Sequence, residues 1–334
     1  MMTKTEIDFL VDSVKDPNHY LLKAKNNKSV YYEDFISASS KMQTVMSEKD
    51  FKHWIDHKML LREKTFNEKV FIQFATETSA ACFFIDRNSK QVKLEAKINP
   101  SNNKDVDIQF RESGYTFNIE VKCATFDEKE KSSSNKYTII TMGRLPDRGN
   151  EAFDILSKCL NQDTCRGKNM DNNLKDFLLN ANKKFCPTNN EHEINVLLIG
   201  CGAPYNIQEW YSYLYAEQGL FRNDSFANKQ DYKLVDLVIL TDLYDRNHNY
   251  HDSTRGHSWN LSDSFNIIYK NPFRELRKDR GIDYFITKVL PNETTQLNDY
   301  YDHLISQNPN CPNEACFIPH YAHDILKWPK ERLY

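Results

Sequence analysis

Two neighbouring segments, DVDIQF (105–110) and YTFNIEVKCATF (115–126), alternate apolar and polar side chains, and a break at Glu112, Ser113 and Gly114 divides them. An alternation of two is the period of a β-strand with one buried face. It puts Val106, Ile108 and Phe110 on one side of the first segment and Asp107 and Gln109 on the other. In the second, Phe117, Ile119 and Val121 share a face, and Asn118, Glu120 and Lys122 take the opposite one. A hairpin through the break then brings Asp107, Glu120 and Lys122 together, off the core face.

The flanking chain supports an α/β reading. Residues 65–84 read as a helix with an apolar stripe of Phe66, Val70, Phe74, Ala81 and Phe84. Glu77 lies at the edge of that stripe, where a carboxylate needs a metal or another cation beside it. VKLEAKI (92–98) alternates weakly and leads into the turn-rich NPSNNK (99–104). DEKEKSSSNK (127–136) reads as a charged, Ser-rich loop. Residues 171–185 form an amphipathic helix with Leu174, Phe177, Leu178, Ala181 and Phe185 inward. INVLLIG (194–200) and LVDLVILTDL (234–243) read as buried strands, with a helix at 207–221 between them. The simplest organisation is one α/β domain with a mixed central sheet. It comprises an N-terminal helical region (1–62), a core (63–245) and an aromatic, less regular C-terminal extension (246–334).

Composition narrows the function classes. With 334 residues and 40% hydrophobic side chains, a sizeable core is available. A net charge of -3 argues against a protein that grips nucleic acid over its whole surface, while leaving room for one local basic cleft. The opening residues lack a signal-peptide layout and no run of about 18 apolar residues occurs, so a cytoplasmic protein without a membrane span is expected. The eight cysteines include no C-x-x-C pair, and reduced thiols are the expected state.

Two carboxylates on adjacent strands suit Mg²⁺, which takes oxygen ligands and keeps several waters. Asp107 and Glu120 supply them, and the carbonyl of Val121 offers a further oxygen. A metal there lowers the pKa of a bound water and stabilises charge on a phosphate. Lys122, on the face of Glu120, is placed to orient or deprotonate that water or to hold the phosphate. Glu77 extends the acidic cluster.

This arrangement resembles the PD-(D/E)XK nuclease superfamily. Asp107 in DVDIQF and Glu120-Val121-Lys122 in NIEVK match its motif, Glu77 matches the acid of its preceding helix, and 171–185 with 194–200 match the following helix and strand. The resemblance covers roughly residues 65 to 200, and Val106 stands where the motif has Pro. It implies a restriction-endonuclease-like core and Mg²⁺-dependent hydrolysis of DNA phosphodiesters, with Mn²⁺ able to substitute. Asp107, Glu120, Val121 and Glu77 would hold the metal and Lys122 would assist the nucleophile. A bacterial restriction or phage-defence endonuclease suits the length. Its partner would be double-stranded DNA, with a homodimer for symmetric cutting, and no nucleotide cofactor is expected.

Rival readings rest on the same residues. An E-x-K triplet alone describes many solvated hairpin faces; its weight here comes from the acid on the paired strand and the elements around it. A nuclease fold that only binds nucleic acid or protein is the alternative. Other candidates are weaker. His53 and His57 read as surface or packing residues, GCGAP (200–204) as a strand-ending turn, Asp236 and Asp242 as strand flanks, and His248, His251 and His257 as a polar loop. Lys183 and Lys184 close a helix whose dipole favours them. The stretch 270–288 is the best basic segment outside the core.

Overall fold

Four short helices open the chain: α1 (Lys4–Asp12), α2 (Tyr20–Asn26), α3 (Val30–Gln43) and α4 (Glu48–His53). The coordinates are a computed structural model and describe residues 2–124, 170–307 and 316–334, with 137–139, 155, 158, 159 and 164–166 between them. The charged segment 127–136 lies outside the described residues. Helix α1 begins on a capping box: the Thr3 hydroxyl accepts the Glu6 N–H while the Glu6 carboxylate accepts the Thr3 N–H. A long helix, α5 (Glu68–Asn88), is capped by Asn67, which accepts the Val70 N–H.

Helix α5 feeds β1 (Val92–Ala96), β2 (Val106–Glu112) and β3 (Tyr115–Cys123). The β2–β3 hairpin closes through Ser113 and Gly114, at φ +52° and +82°, the positive values that a two-residue turn needs to match strand twist. A short parallel pair, β4 (Tyr137–Ile139) and β5 (Thr164–Arg166), forms its own sheet. The chain continues through α6 (Met170–Lys184), β6 (Glu193–Gly200), α7 (Pro204–Tyr215), β7 (Leu237–Thr241), α8 (Leu243–His248) and β8 (Asn266–Lys270). It ends with α9 (Asp279–Tyr284), α10 (Thr294–Gln307) and α11 (Phe317–Asp324).

The main sheet has six strands in the order β1-β2-β3-β6-β7-β8. The central neighbours β3, β6 and β7 run parallel, and the outer pairs are antiparallel. The protein is therefore α/β with a mixed sheet between two helical layers. One face carries Ile108, Phe110, Ile119, Val121, Val196 and Ile239, packed with α1 to α5. The other carries Leu197, Ile199, Val238, Leu240 and Ile267, packed with α6, α7 and α11. The fully apolar β6 and β7 follow from burial on both faces. Among the described residues no helix is long and apolar enough to cross a membrane.

Several expectations need correction. Val106 does not join Ile108 and Phe110; it packs in the opposite layer with Leu174 and Leu197. The strand pair turns at this level: Glu95 takes a left-handed backbone (φ +49°) between the Leu94–Ile108 and Ala96–Val106 pairs. In α5 Ala81 and Phe84 are buried as expected, but Phe71, Ile72, Ala75 and Thr78 are buried too, while Val70 is exposed. The cause is tertiary, because α5 is sandwiched between the sheet and α3 and so buries more than one stripe. The sixth strand, β8, lies beyond residue 245, so the sheet runs on into the segment expected to be an extension.

Candidate active site

The site forms where β2 and β3 part. Their ladder runs from Glu112–Tyr115 to Ile108–Ile119 and no further. Beyond it the free edge of β3 still carries backbone donors and acceptors that need partners. Side chains supply them. Asp107 Oδ2 accepts the Val121 N–H at 2.6 Å. Gln73, on α5, accepts the Cys123 N–H at 2.8 Å and donates to the Val121 carbonyl at 3.2 Å. The same Gln73 amide donates to Glu77 Oε1 at 2.8 Å. On its other edge β3 pairs with β6, where Glu120 stands beside Leu197 and Lys122 beside Ile199.

Asp107, Glu120 and Lys122 come together where β2 and β3 part, with Glu77 beside them across Gln73, but not off the core face as expected, because residues 117–121 of β3 are all buried. Glu120 is fully buried. Its Oε1 lies 2.5 Å from Lys122 Nζ and 2.7 Å from Lys184 Nζ, and the Lys184 ammonium is also 3.9 Å from Asp107 Oδ1. These contacts are close charge pairs rather than well-directed hydrogen bonds, and Oε2 has no hydrogen-bond partner among the described residues. A buried carboxylate oxygen left so is costly, on the order of 1–3 kcal/mol or more. On the helix side, Lys58 pairs closely with Glu95 and lies 3.9 Å from Glu77 Oε2. Met42, Trp54, Leu94, Lys58, Glu77 and Asp107 line a cavity of about 30 Å³, room for one water molecule.

The electrostatics follow from burial and from crowding of like charges. Burial pushes the Glu77 carboxyl up to about 7, and Asp107 adds to the rise, against Lys58, Gln73 and Lys122. Glu120 is raised by burial and by Asp107, against Lys122 and Lys184. Burial works against the Lys122 ammonium, but Glu120, Asp107 and Glu77 hold its pKa above the ordinary value. Lys122 thus stands as a counter-charge to these three carboxylates.

Sequence pattern does not mark Lys184, Lys58 or Gln73 as site residues. In the sequence, Lys184 with Lys183 suits a DNA contact and a dipole-favoured helix end equally well. Its sole visible signal was its place at the end of the helix that precedes β6. Glu68, the first residue of α5, accepts from the Tyr20 hydroxyl and lies 3.6 Å from His248. His257 pairs with Asp34 at 2.8 Å. Asp236 and Asp242, which flank β7, are buried ion-pair residues: Asp236 holds Lys278 at 2.7 Å, and Asp242 holds Arg246 and Arg332. In the basic stretch 270–288, half of the six cations are neutralised: Lys270, Arg274 and Lys278 each pair with an aspartate.

Against Mg²⁺, the donors Asp107, Glu120, Glu77 and the Val121 carbonyl are of the right chemical kind, and the bare Glu120 Oε2 is an oxygen in need of a cation. Among the described residues, however, no three His, Cys, Asp or Glu groups form a cluster that could hold a metal ion, and two lysines meet Glu120 Oε1. The oxygens are thus of the kind Mg²⁺ takes, but lysines meet Glu120 Oε1, and Gln73 and Lys122 both donate to the Val121 carbonyl, at 3.2 and 3.1 Å. A second, larger cavity of about 640 Å³ opens at the carboxyl ends of β3 and β6, lined by Lys69, Ala124, Asn206, Tyr244, His248 and Arg255 among others.

Comparison of the chain with family models, curated proteins and solved structures finds no match.

Proposed function

We propose that this protein is a Mg²⁺-dependent endonuclease of the PD-(D/E)XK type that hydrolyses DNA phosphodiesters, with a restriction-endonuclease-like core. The reading is carried by one observation: Asp107, Glu120 and Lys122 converge where β2 and β3 part, around a buried carboxylate with one oxygen that has no hydrogen-bond partner among the described residues. Asp107, Glu120, the Val121 carbonyl and Glu77 would hold the metal. When bound, it supplies a water of lowered pKa and a counter-charge for the phosphate. Lys122 brings a fixed positive charge to the scissile phosphate and orients the attacking water beside it. The substrate strand has space along the carboxyl ends of β3 and β6, in the larger cavity, whose lining mixes Lys69 and Arg255 with Glu68 and Asp245. A restriction or phage-defence role follows from the resemblance and chain length. Incubating a defined duplex with and without Mg²⁺ and sequencing the ends tests this reading. Cleavage only with Mg²⁺ supports it; intact DNA under both conditions overturns it.

A second reading has its own observation. Lys58, Lys122 and Lys184 already pair with the acids of the site, as in a structural ion-pair cluster. A nuclease-type fold that only binds nucleic acid would look the same and would leave the duplex intact while retaining it on a gel.

A further inference from the structure

Gln73 belongs to no motif, yet it touches the site at three points. It lies one helical turn before Glu77 on α5, so both side chains leave the same face of the helix. Its amide meets the edge of β3 where β2 no longer does. Oε1 accepts the Cys123 N–H at 2.8 Å, and Nε2 donates to the Val121 carbonyl at 3.2 Å. One side-chain amide thus reproduces the donor–acceptor pair that a neighbouring strand would offer. Its remaining donor goes to Glu77 Oε1 at 2.8 Å.

The orientation of this amide is fixed by its partners. A backbone N–H needs an acceptor, so Oε1 must face Cys123, and Nε2 then faces a carbonyl and a carboxylate, both pure acceptors. A flipped amide would set NH₂ against N–H and oxygen against oxygen.

We propose that Gln73 is a positioning residue of the nuclease site. It ties Glu77, from the helix, to the Val121 carbonyl, from the strand, so that two oxygens from separate elements keep one relative position. The inference rests on the proposed function, in which these two oxygens are metal ligands. It goes further by assigning their mutual placement to a residue that is not itself one of the ligands. Residues that orient metal ligands typically change metal affinity 10- to 100-fold when removed.

The test uses the full chain and two variants. Gln73→Met keeps the length of the side chain and removes its hydrogen bonds. Gln73→Asn keeps the amide but is one methylene too short to reach Cys123, Val121 and Glu77 together, and it guards against a folding failure of the first. Mn²⁺ binding is followed by electron paramagnetic resonance, and exchange of the Cys123 amide hydrogen by NMR. Both variants should bind Mn²⁺ about 10- to 100-fold more weakly than wild type. The Cys123 amide should exchange at least about tenfold faster, with a cooperative melting transition retained. Wild-type Mn²⁺ affinity in both variants overturns the assignment of Gln73 while leaving the nuclease reading standing, whatever the exchange rate. A wild-type protein that binds no Mn²⁺ overturns the nuclease reading, and this assignment with it.

Discussion

Lys184 Nζ lies 2.7 Å from Glu120 Oε1, bringing the last residue of α6 onto the central strand β3. With Lys122 on the same oxygen, the two ammoniums hold a carboxylate that is fully shut off from solvent. Breaking one partner of a buried pair leaves charge uncompensated, and fully buried pairs lose about 3–5 kcal/mol when this happens. Lys184 keeps some solvent contact and Lys122 remains.

The Lys184→Met variant should therefore lose about 1–3 kcal/mol of stability without metal. The loss should shrink when Mg²⁺ is added, because a bound cation restores the counter-charge and stabilises the folded state by mass action. Urea midpoints with and without Mg²⁺ read both effects. An equal loss under both conditions would mean that no cation replaces the lysine.

Glu77 gives the metal-free protein a pH dependence of defined sign. Burial raises its carboxyl from an ordinary 4.5 to about 7, so the folded state binds the proton more tightly than the unfolded one. Between these values the folded chain carries more protons, and stability from this group is present below pH 4.5 and falls as pH rises to about 7. The Glu77→Gln variant removes that slope. It should be more stable than wild type at pH 8, by on the order of 1–3 kcal/mol, and nearly equal to it at pH 4.5. Denaturant titrations at both pH values check this; parallel curves for the two proteins would contradict it.

Gly281 marks a close approach rather than a turn. It sits in α9, and a Cβ there would come within 2.5 Å of Ile194 Cδ1 and 2.9 Å of the Tyr115 ring. Overpacking of this kind costs about 1–3 kcal/mol. The Gly281→Ala variant should lose that much stability, read from its urea midpoint, with metal binding unchanged because α9 meets the sheet at the starts of β3 and β6, away from Lys122. Undiminished stability would mean the interface relaxes freely.

What could be read in the sequence was what local pattern controls. The alternation of 106–110 and 117–121 is visible because apolar and polar residue types alternate there, although β3 buries both faces from Phe117 to Val121, and the runs 194–200 and 237–241 are visible because those strands bury apolar side chains on both. Asp107, Glu120 and Lys122 followed from that alternation with one hairpin. Local pattern failed where packing decides. Val106 changed layers because the strand pair turns beside Glu95, and α5 exposed Val70 because its buried face is set by neighbours on two sides. Strand β8 is five residues long and carries too little periodicity to stand out. Lys184, Lys58 and Gln73 enter the site from three separate elements, and no spacing along the chain links them to Glu120 or Glu77.

The most direct measurement is the rate of supercoiled plasmid cleavage in Mg²⁺ by wild type, Asp107→Ala and Lys122→Ala, with circular dichroism to confirm that each is folded. Asp107 contributes a carboxylate oxygen and a tie to the Val121 N–H, and Lys122 the positive charge beside Glu120. Loss of one charge-stabilising group from a hydrolytic site costs on the order of 10²–10³ in rate. Wild type should cut only with Mg²⁺, and each folded variant should fall by at least about that factor. A wild-type protein that leaves the plasmid intact, or a folded variant that cuts at the wild-type rate, would contradict the assignment.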